Sequence, residues 1–228
     1  MISDNLAQIH TNITKAAHKV GRDPDAIKLV AVSKFVASDH IQEALDSGQT
    51  VFGENYLQEA ADKIPAIGDK AKWHFIGHLQ SNKAKQAVAL FDMVETVDRL
   101  KIAKALDTQA KHLEKALSVL IQVNIGREPQ KSGILPDKTE QLLRELRQET
   151  NLQVCGLMTM PPFFDAPEKS RPFFRELRLL ANKLAQQQLF SDNTRVELSM
   201  GMSGDYQVAI EEGATIIRVG TALFGSRA

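Results

Sequence analysis

The chain holds a single cysteine, Cys155, in 228 residues. One thiol makes no intramolecular disulfide and no cysteine metal cluster, and it suits a reducing compartment. Charge of one sign is not in excess either: Lys and Arg number 28, Asp and Glu 28. That balance leaves no electrostatic footprint for DNA, RNA or an anionic membrane. No stretch approaches the ~18 apolar residues of a membrane span. The opening Met1-Ile2-Ser3-Asp4-Asn5 has neither the basic start nor the apolar run of a signal peptide, so a cytoplasmic protein is expected. In that setting the sequon Asn12-Ile13-Thr14 carries no weight. Low-complexity tracts and Pro/Gly/Ser linkers are also missing. What remains is a chain 43% hydrophobic, enough for a substantial core. Its length falls within one α/β barrel and short of two large domains.

Two signals alternate along it. Short β-branched runs are followed by longer amphipathic stretches, the pattern of βα units and a parallel sheet. An opening helix carries Leu6, Ile9, Ile13, Ala16, Ala17 and Val20 at helical spacing and stops at Gly21. Strands are then expected near 28–33, 50–53, 73–77, 92–97, 117–124, 152–157, 195–199 and 215–219. Helices are expected near 39–47, 54–63, 81–90, 99–113, 137–149, 168–188 and 205–212, with room for a short one at Phe224. Eight such units predict a single TIM (β/α)8 barrel over 1–228 with an extra N-terminal helix. The alternative is an open doubly wound sheet, but Val32-Ser33-Lys34 stands where a Gly-rich dinucleotide loop would follow the first strand.

Lys34 therefore ends the first strand, on the face where barrels carry function. A lysine there is either a solvated charge or a nucleophile. Apolar walls or a nearby cation disfavour its ammonium, and the free amine can attack a carbonyl to form a Schiff base. The last two strands supply a second signal. Ser199-Met200-Gly201-Met202-Ser203-Gly204-Asp205 follows the seventh and Gly220-Thr221 the eighth, where barrel enzymes often bind phosphate. Glycines admit backbone amides close to an anion, Ser203 and Thr221 offer hydroxyls, and helices starting near Asp205 and after Gly220 would aim N–H groups at it. The same features also read as turn glycines and N-caps. Arg218 alternates with Ile217 and Val219, compatible with an inward guanidinium that pairs with a phosphate or donates to a ring nitrogen. An aldehyde-reactive lysine beside a phosphate cup fits pyridoxal 5′-phosphate (PLP), or a sugar phosphate handled by a class I aldolase.

The segments Leu29-Val30-Ala31-Val32-Ser33-Lys34, Phe52-Gly53-Glu54-Asn55-Tyr56, Trp73 to Lys83, Lys131-Ser132-Gly133, Gly156 to Met160 and Ser199 to Gly225 resemble those of the pyridoxal phosphate homeostasis protein family, in order and over nearly the whole chain. The resemblance implies a PLP-binding TIM barrel similar to the alanine racemase N-terminal domain. PLP would be a Schiff base on Lys34, its phosphate held by Ser203 and Gly220-Thr221, with Arg218 facing the pyridine nitrogen. The cofactor-binding set is then Lys34, Asn55, Asn124, Met202, Ser203, Gly204, Arg218, Gly220 and Thr221. Asn55 and Glu54 fit either a cofactor contact or a helix cap, and Asn124 ends the fifth strand beside the ring. His78 and Asn82 border the mouth; His74 and His78 lack a third ligand for a metal. Met158 and Met160 are expected to pack, and Tyr206 to shield the phosphate or pack on its helix. Lys83, Lys85 and Lys131 form at most a basic rim.

An arginine at the ring nitrogen disfavours its protonation and weakens the electron sink. Alanine racemase works around this with a second base, a tyrosine from a C-terminal β-domain. This chain ends at Ala228 with only Tyr56 and Tyr206. The expectation is a monomeric, non-catalytic PLP carrier that buffers the cofactor or delivers it to PLP-dependent apo-enzymes. The alternatives are a weak PLP-dependent amino-acid racemase and an aldolase-like enzyme.

Overall fold

A computed structural model describes residues 1–225, so positions 226–228 of the expected domain lie outside the described residues. Eight parallel strands close into a TIM barrel in simple sequence order. They are β1 Lys28–Val32, β2 Val51–Glu54, β3 Lys72–Phe75, β4 Met93–Val97, β5 Ser118–Gln122, β6 Gln153–Met158, β7 Glu197–Ser199 and β8 Ile216–Val219. β1 pairs with β8 to close the ring, with Ala31 opposite Val219.

Helices follow each strand: α2 Ser38–Asp46, α3 Leu57–Ile67, α4 Ala84–Leu90, α5 Leu100–His112, α6 Pro136–Glu149, α7 Arg171–Gln186, α8 Tyr206–Glu211 and α9 Thr221–Phe224. The extra helix α1, Ile2–Lys19, buries Leu6, Ile9, Ile13 and Ala17. It docks on α8 and α9, where Asn12 donates to the Tyr206 hydroxyl at 3.0 Å and Asn5 to the Leu223 carbonyl at 2.9 Å. Tyr206 is thus a packing residue of the α1–α8 contact.

Element identities match the sequence pattern, and the boundary differences have local causes. The helix expected from residue 54 begins at Leu57, because Glu54 stays in β2 as a buried strand residue. That helix also runs on through Pro65. The helices expected from 81 and 168 begin as 3-10 turns, Ser81–Lys83 and Pro167–Ser170. β5 ends at Gln122, two residues early, because the chain turns back on itself and the Asn124 amide bonds to the Ile134 carbonyl at 2.9 Å.

Side chains alternate across each strand. Outward residues such as Ala31, Val94, Ile121, Leu157 and Ile217 join the large core between barrel and helices. Val30, Met93, Leu120, Met158 and Ile216 fill a separate layer inside the barrel. One pleat further towards the C-terminal ends, the same inward face carries Glu95 above Met93 and Arg218 above Ile216. The barrel interior is therefore apolar low down and charged near its functional rim.

Candidate functional site

The β1–β8 register puts Lys34, Gly220 and Thr221 on one rim of neighbouring strands. There they line a cavity of about 330 Å³ with Val32, Asn55, Ile76, Met202, Ser203, Gly204, Asp205 and Arg218. Met160, Pro162, Phe163 and Phe164, from the loop after β6, complete its wall. Of the nine expected ligand-binding residues, the structure gathers eight around one space.

The ninth stands apart. Asn124 is absent from the cavity lining. Its side-chain amide donates to the carbonyls of Glu128 (2.8 Å) and Lys131 (3.3 Å), and its oxygen accepts from the Glu128 amide at 3.1 Å. Three bonds engage it inside its own loop. His78 bonds to Ser132 at 3.3 Å, and Lys131 is tied to Pro161 O at 2.8 Å and to Glu128 at 2.5 Å, so these side chains brace loops. Glu54 neither lines the cavity nor caps a helix. It is fully buried and bonds to Ser33 and Lys63.

The rim after β7 and β8 is shaped by close backbone contacts. Gly201 sits at φ +94, where a side chain is strained, and an added Cβ would come within 2.5 Å of Ala209 Cβ. The Asp205 carboxylate accepts from the Met202 amide at 2.7 Å and fixes the intervening turn. Ser203 Oγ accepts from the amides of Gly220 and Ala222, both at 3.3 Å. These amides are orphan donors at the start of α9, held by one hydroxyl at long range. Asn55 also lines the cavity, and its Oδ1 is buried with no hydrogen-bond partner among the described residues. A buried acceptor left unpaired is costly, so it invites a donor from a ligand.

Beneath the cavity runs a buried polar chain. Arg218, 3% exposed, donates to Ser199 Oγ at 2.5 Å and to the Thr159 carbonyl at 2.8 Å. Ser199 donates in turn to Glu95 Oε2 at 2.5 Å, and His74 Nδ1 lies 2.6 Å from Glu95 Oε1. Glu95 Oε2 is 4.0 Å from the guanidinium. Burial pushes the Glu95 carboxyl up, but His74, Arg218 and Ser199 outweigh it and hold it below the ordinary carboxylate range. Burial draws Arg218 down from its usual value against the attraction of Glu95 and Asp205. The cation expected at the cavity's inner wall is there, and it comes with a counter-charge.

The alanine racemase N-terminal domain family matches residues 5–228. The pyridoxal phosphate homeostasis protein of Pasteurella multocida is 42% identical, over 99% of this chain and 97% of the relative. That of Aquifex aeolicus is 40% identical, over 98% and 97%. The chain belongs to the pyridoxal phosphate homeostasis protein family. Among solved structures, PipY of Synechococcus elongatus PCC7942 with PLP bound aligns at a TM-score of 0.86 and 36% identity, covering 99% of this chain and 100% of that one.

Of the segments read as motifs, those that hold Lys34, Asn55, Met202 to Asp205 and Gly220-Thr221 line the cavity, and Lys131-Ser132-Gly133 does not. The 160–167 loop follows a predicted strand and so is expected on the functional face; that Met160, Pro162, Phe163 and Phe164 line the cavity goes beyond that expectation, which gave Met160 only a packing role. Sequence reasoning missed Glu95 and Lys63. Both carried a signal: a charge at a position whose neighbours at strand or helix spacing are buried, Met93 for Glu95 and Ala60 and Ile67 for Lys63.

Proposed function

We propose that this chain binds PLP on Lys34 and acts in intracellular PLP homeostasis, buffering or delivering the cofactor without efficient turnover. The observation that carries the reading is one cavity shared by Lys34 and by Ser203, Gly220 and Thr221. The residues fit the cofactor at each end. Lys34, half-buried, lines the cavity. On the same lining, a weakly engaged hydroxyl and the Gly220 amide, with the Ala222 amide beside them, suit a phosphate. Asn55 Oδ1 supplies an unpaired acceptor on the same lining. The volume lies in the range of small-molecule sites. PLP brings an aldehyde that condenses with an amine with loss of water, and a ring that accepts electrons. The chain's part is to hold, orient and shield it.

The limited turnover has support in the wall. Among the described lining residues the titratable ones are Lys34, Asp205 and Arg218. Asp205 is engaged by the Met202 amide, and Arg218 stays a cation. A racemase needs a second acid–base group opposite the lysine. Tyr206 is buried against Asn12. In this reading residues 1–228 form one PLP-binding domain, a cytoplasmic monomer that serves apo-enzymes. No helix of the described residues is long and apolar enough to cross a membrane.

The decisive experiment is an absorption spectrum and intact mass after incubation with PLP, before and after borohydride reduction. One stable adduct per chain, lost in Lys34→Ala, is expected. A chain that gains no visible band and no adduct would overturn the reading. Sustained α-proton exchange of an amino acid in deuterated water would replace the carrier with a racemase.

A further inference from the structure

Behind Lys34 lies a second buried charge cluster that takes no part in lining the cavity. Lys63 sits on the inner stripe of α3 with Ala60 and Ile67 and is 8% exposed. Its ammonium has three protons to donate. They are directed to the Ser33 carbonyl at 2.8 Å, Glu54 Oε1 at 3.0 Å and Glu59 Oε2 at 2.7 Å. The two carboxylates reach back to the same stretch of chain. Glu54 Oε1 accepts from Ser33 Oγ at 2.7 Å, and Glu59 Oε2 accepts from the Phe35 amide at 2.8 Å. The residues before and after Lys34 are thus both tied to one ammonium.

The segment so held is strained. Phe35 has φ 61, a left-handed conformation that a bulky aromatic residue rarely adopts. The Val36 amide closes the turn onto the Ser33 carbonyl at 3.0 Å. Strain of this kind persists only where surroundings over-determine it. Burying Lys63 and Glu54 together is also an expensive way to fix a helix on a barrel, since apolar side chains of similar volume do it as well or better. Phe52, Trp73 and Ile41 already fill the core there. A cluster kept despite its cost, at the two residues flanking the cavity lysine, fits a positioning task better than a stabilising one.

We propose that Lys63, through Glu54 and Glu59, is the positioning element for Lys34: it locks the Ser33–Phe35 turn so that the Lys34 amine is delivered into the cavity in one orientation. The inference rests on the reading of Lys34 as the PLP-bearing residue. Lys63 never meets the ligand. Its effect is on how fast the amine captures an aldehyde, not on how the phosphate end is held.

The test compares wild type, Lys63→Met and Glu59→Ala. Glu59→Ala removes the tie to the Phe35 amide from a side chain that is 25% exposed, so it stands in if Lys63→Met fails to fold. Two quantities are measured: the rate of borohydride-trapped adduct formation at saturating PLP, by intact mass, and the affinity for pyridoxine 5′-phosphate, which has the phosphate and ring but no aldehyde. Trapping is expected to slow by about tenfold or more, since a displacement of about 1 Å in a reacting group can cost about a hundredfold. Affinity for the aldehyde-free analogue should change by less than about threefold, because the phosphate site is untouched. Equal trapping rates in wild type and both variants would overturn the positioning role alone. Parallel loss of trapping and analogue binding in Glu59→Ala would also overturn it, reducing the cluster to a fold support. A wild-type chain that forms no adduct would remove the PLP reading and this inference together.

Discussion

The Arg218 guanidinium on β8 donates to the Ser199 hydroxyl on β7 at 2.5 Å, and that same hydroxyl donates to Glu95 on β4. A serine thus couples a buried cation to a buried anion across the barrel interior. Pairs of this kind add little net stability when whole, because desolvation consumes most of the attraction. Removing one partner is different, since it strands the other charge. Glu95→Gln should destabilise the ligand-free protein by about 3–5 kcal/mol, measured by urea unfolding. Glu95→Gln combined with Arg218→Met should recover most of that loss. A double variant as unstable as the sum of the singles would show that the two charges are not coupled.

The same carboxylate predicts the acid behaviour. Glu95 titrates below its ordinary value in the folded chain. Its stabilising contribution is complete above the unfolded value and is lost as pH falls through the folded one. Glu54 runs the other way: burial outweighs its bonds from Ser33 and Lys63 and raises it, so its ionisation opposes folding as pH rises. Melting temperatures of wild type and Glu95→Gln, followed downward from about pH 6 through the carboxylate range near pH 4, should therefore converge. Curves that stay parallel would mean that Glu95 is not ionised in the native barrel.

The parts of this site that were legible in the sequence are those set by chain position. Lys34, Ser203, Gly220 and Thr221 follow strand-like runs directly, and a parallel barrel brings every such position to one rim. What was not legible depends on how loops and faces turn. Asn124 looks like another strand-end residue, but the 124–133 loop folds back and consumes its side chain. Glu95 and Lys63 lie inside apolar stretches, and sequence periodicity does not reveal that Glu95 meets partners from β3, β7 and β8, or Lys63 partners from β2 and the Ser33 carbonyl. The 160–167 loop is expected on the functional face from its place after a strand, but which of its residues line the cavity, the exposed Phe163 among them, depends on how the loop turns.

Phe163 is 85% exposed yet forms part of the cavity wall, beside Phe164, which stacks on Phe173 at 5.8 Å. The base of this loop is anchored by Lys131 to the Pro161 carbonyl, and Phe163 projects beyond the anchor. A large apolar ring at a mouth slows escape of whatever lies beneath it. Phe163→Ala should leave stability within about 0.5 kcal/mol, as expected for a surface site. It should raise the rate at which PLP leaves the unreduced protein to an apo-enzyme acceptor. An unchanged release rate would assign Phe163 no gating role.

Ser203 offers the sharpest check on the phosphate end. Its hydroxyl now accepts from the Gly220 and Ala222 amides at 3.3 Å, longer than the usual range, so a phosphate oxygen would be a better acceptor for the same donors. In the bound state the hydroxyl is free to donate to that oxygen. Ser203→Ala should weaken PLP binding by about 1–3 kcal/mol through loss of one bond to a charged group. Pyridoxal, which has the aldehyde but no phosphate, should lose almost nothing in the same variant. The contrast separates a phosphate contact from general damage to the rim, which would weaken both ligands alike. Equal penalties for the two ligands would take Ser203 out of the phosphate site, and equal affinities of wild type and variant for PLP would do so more simply.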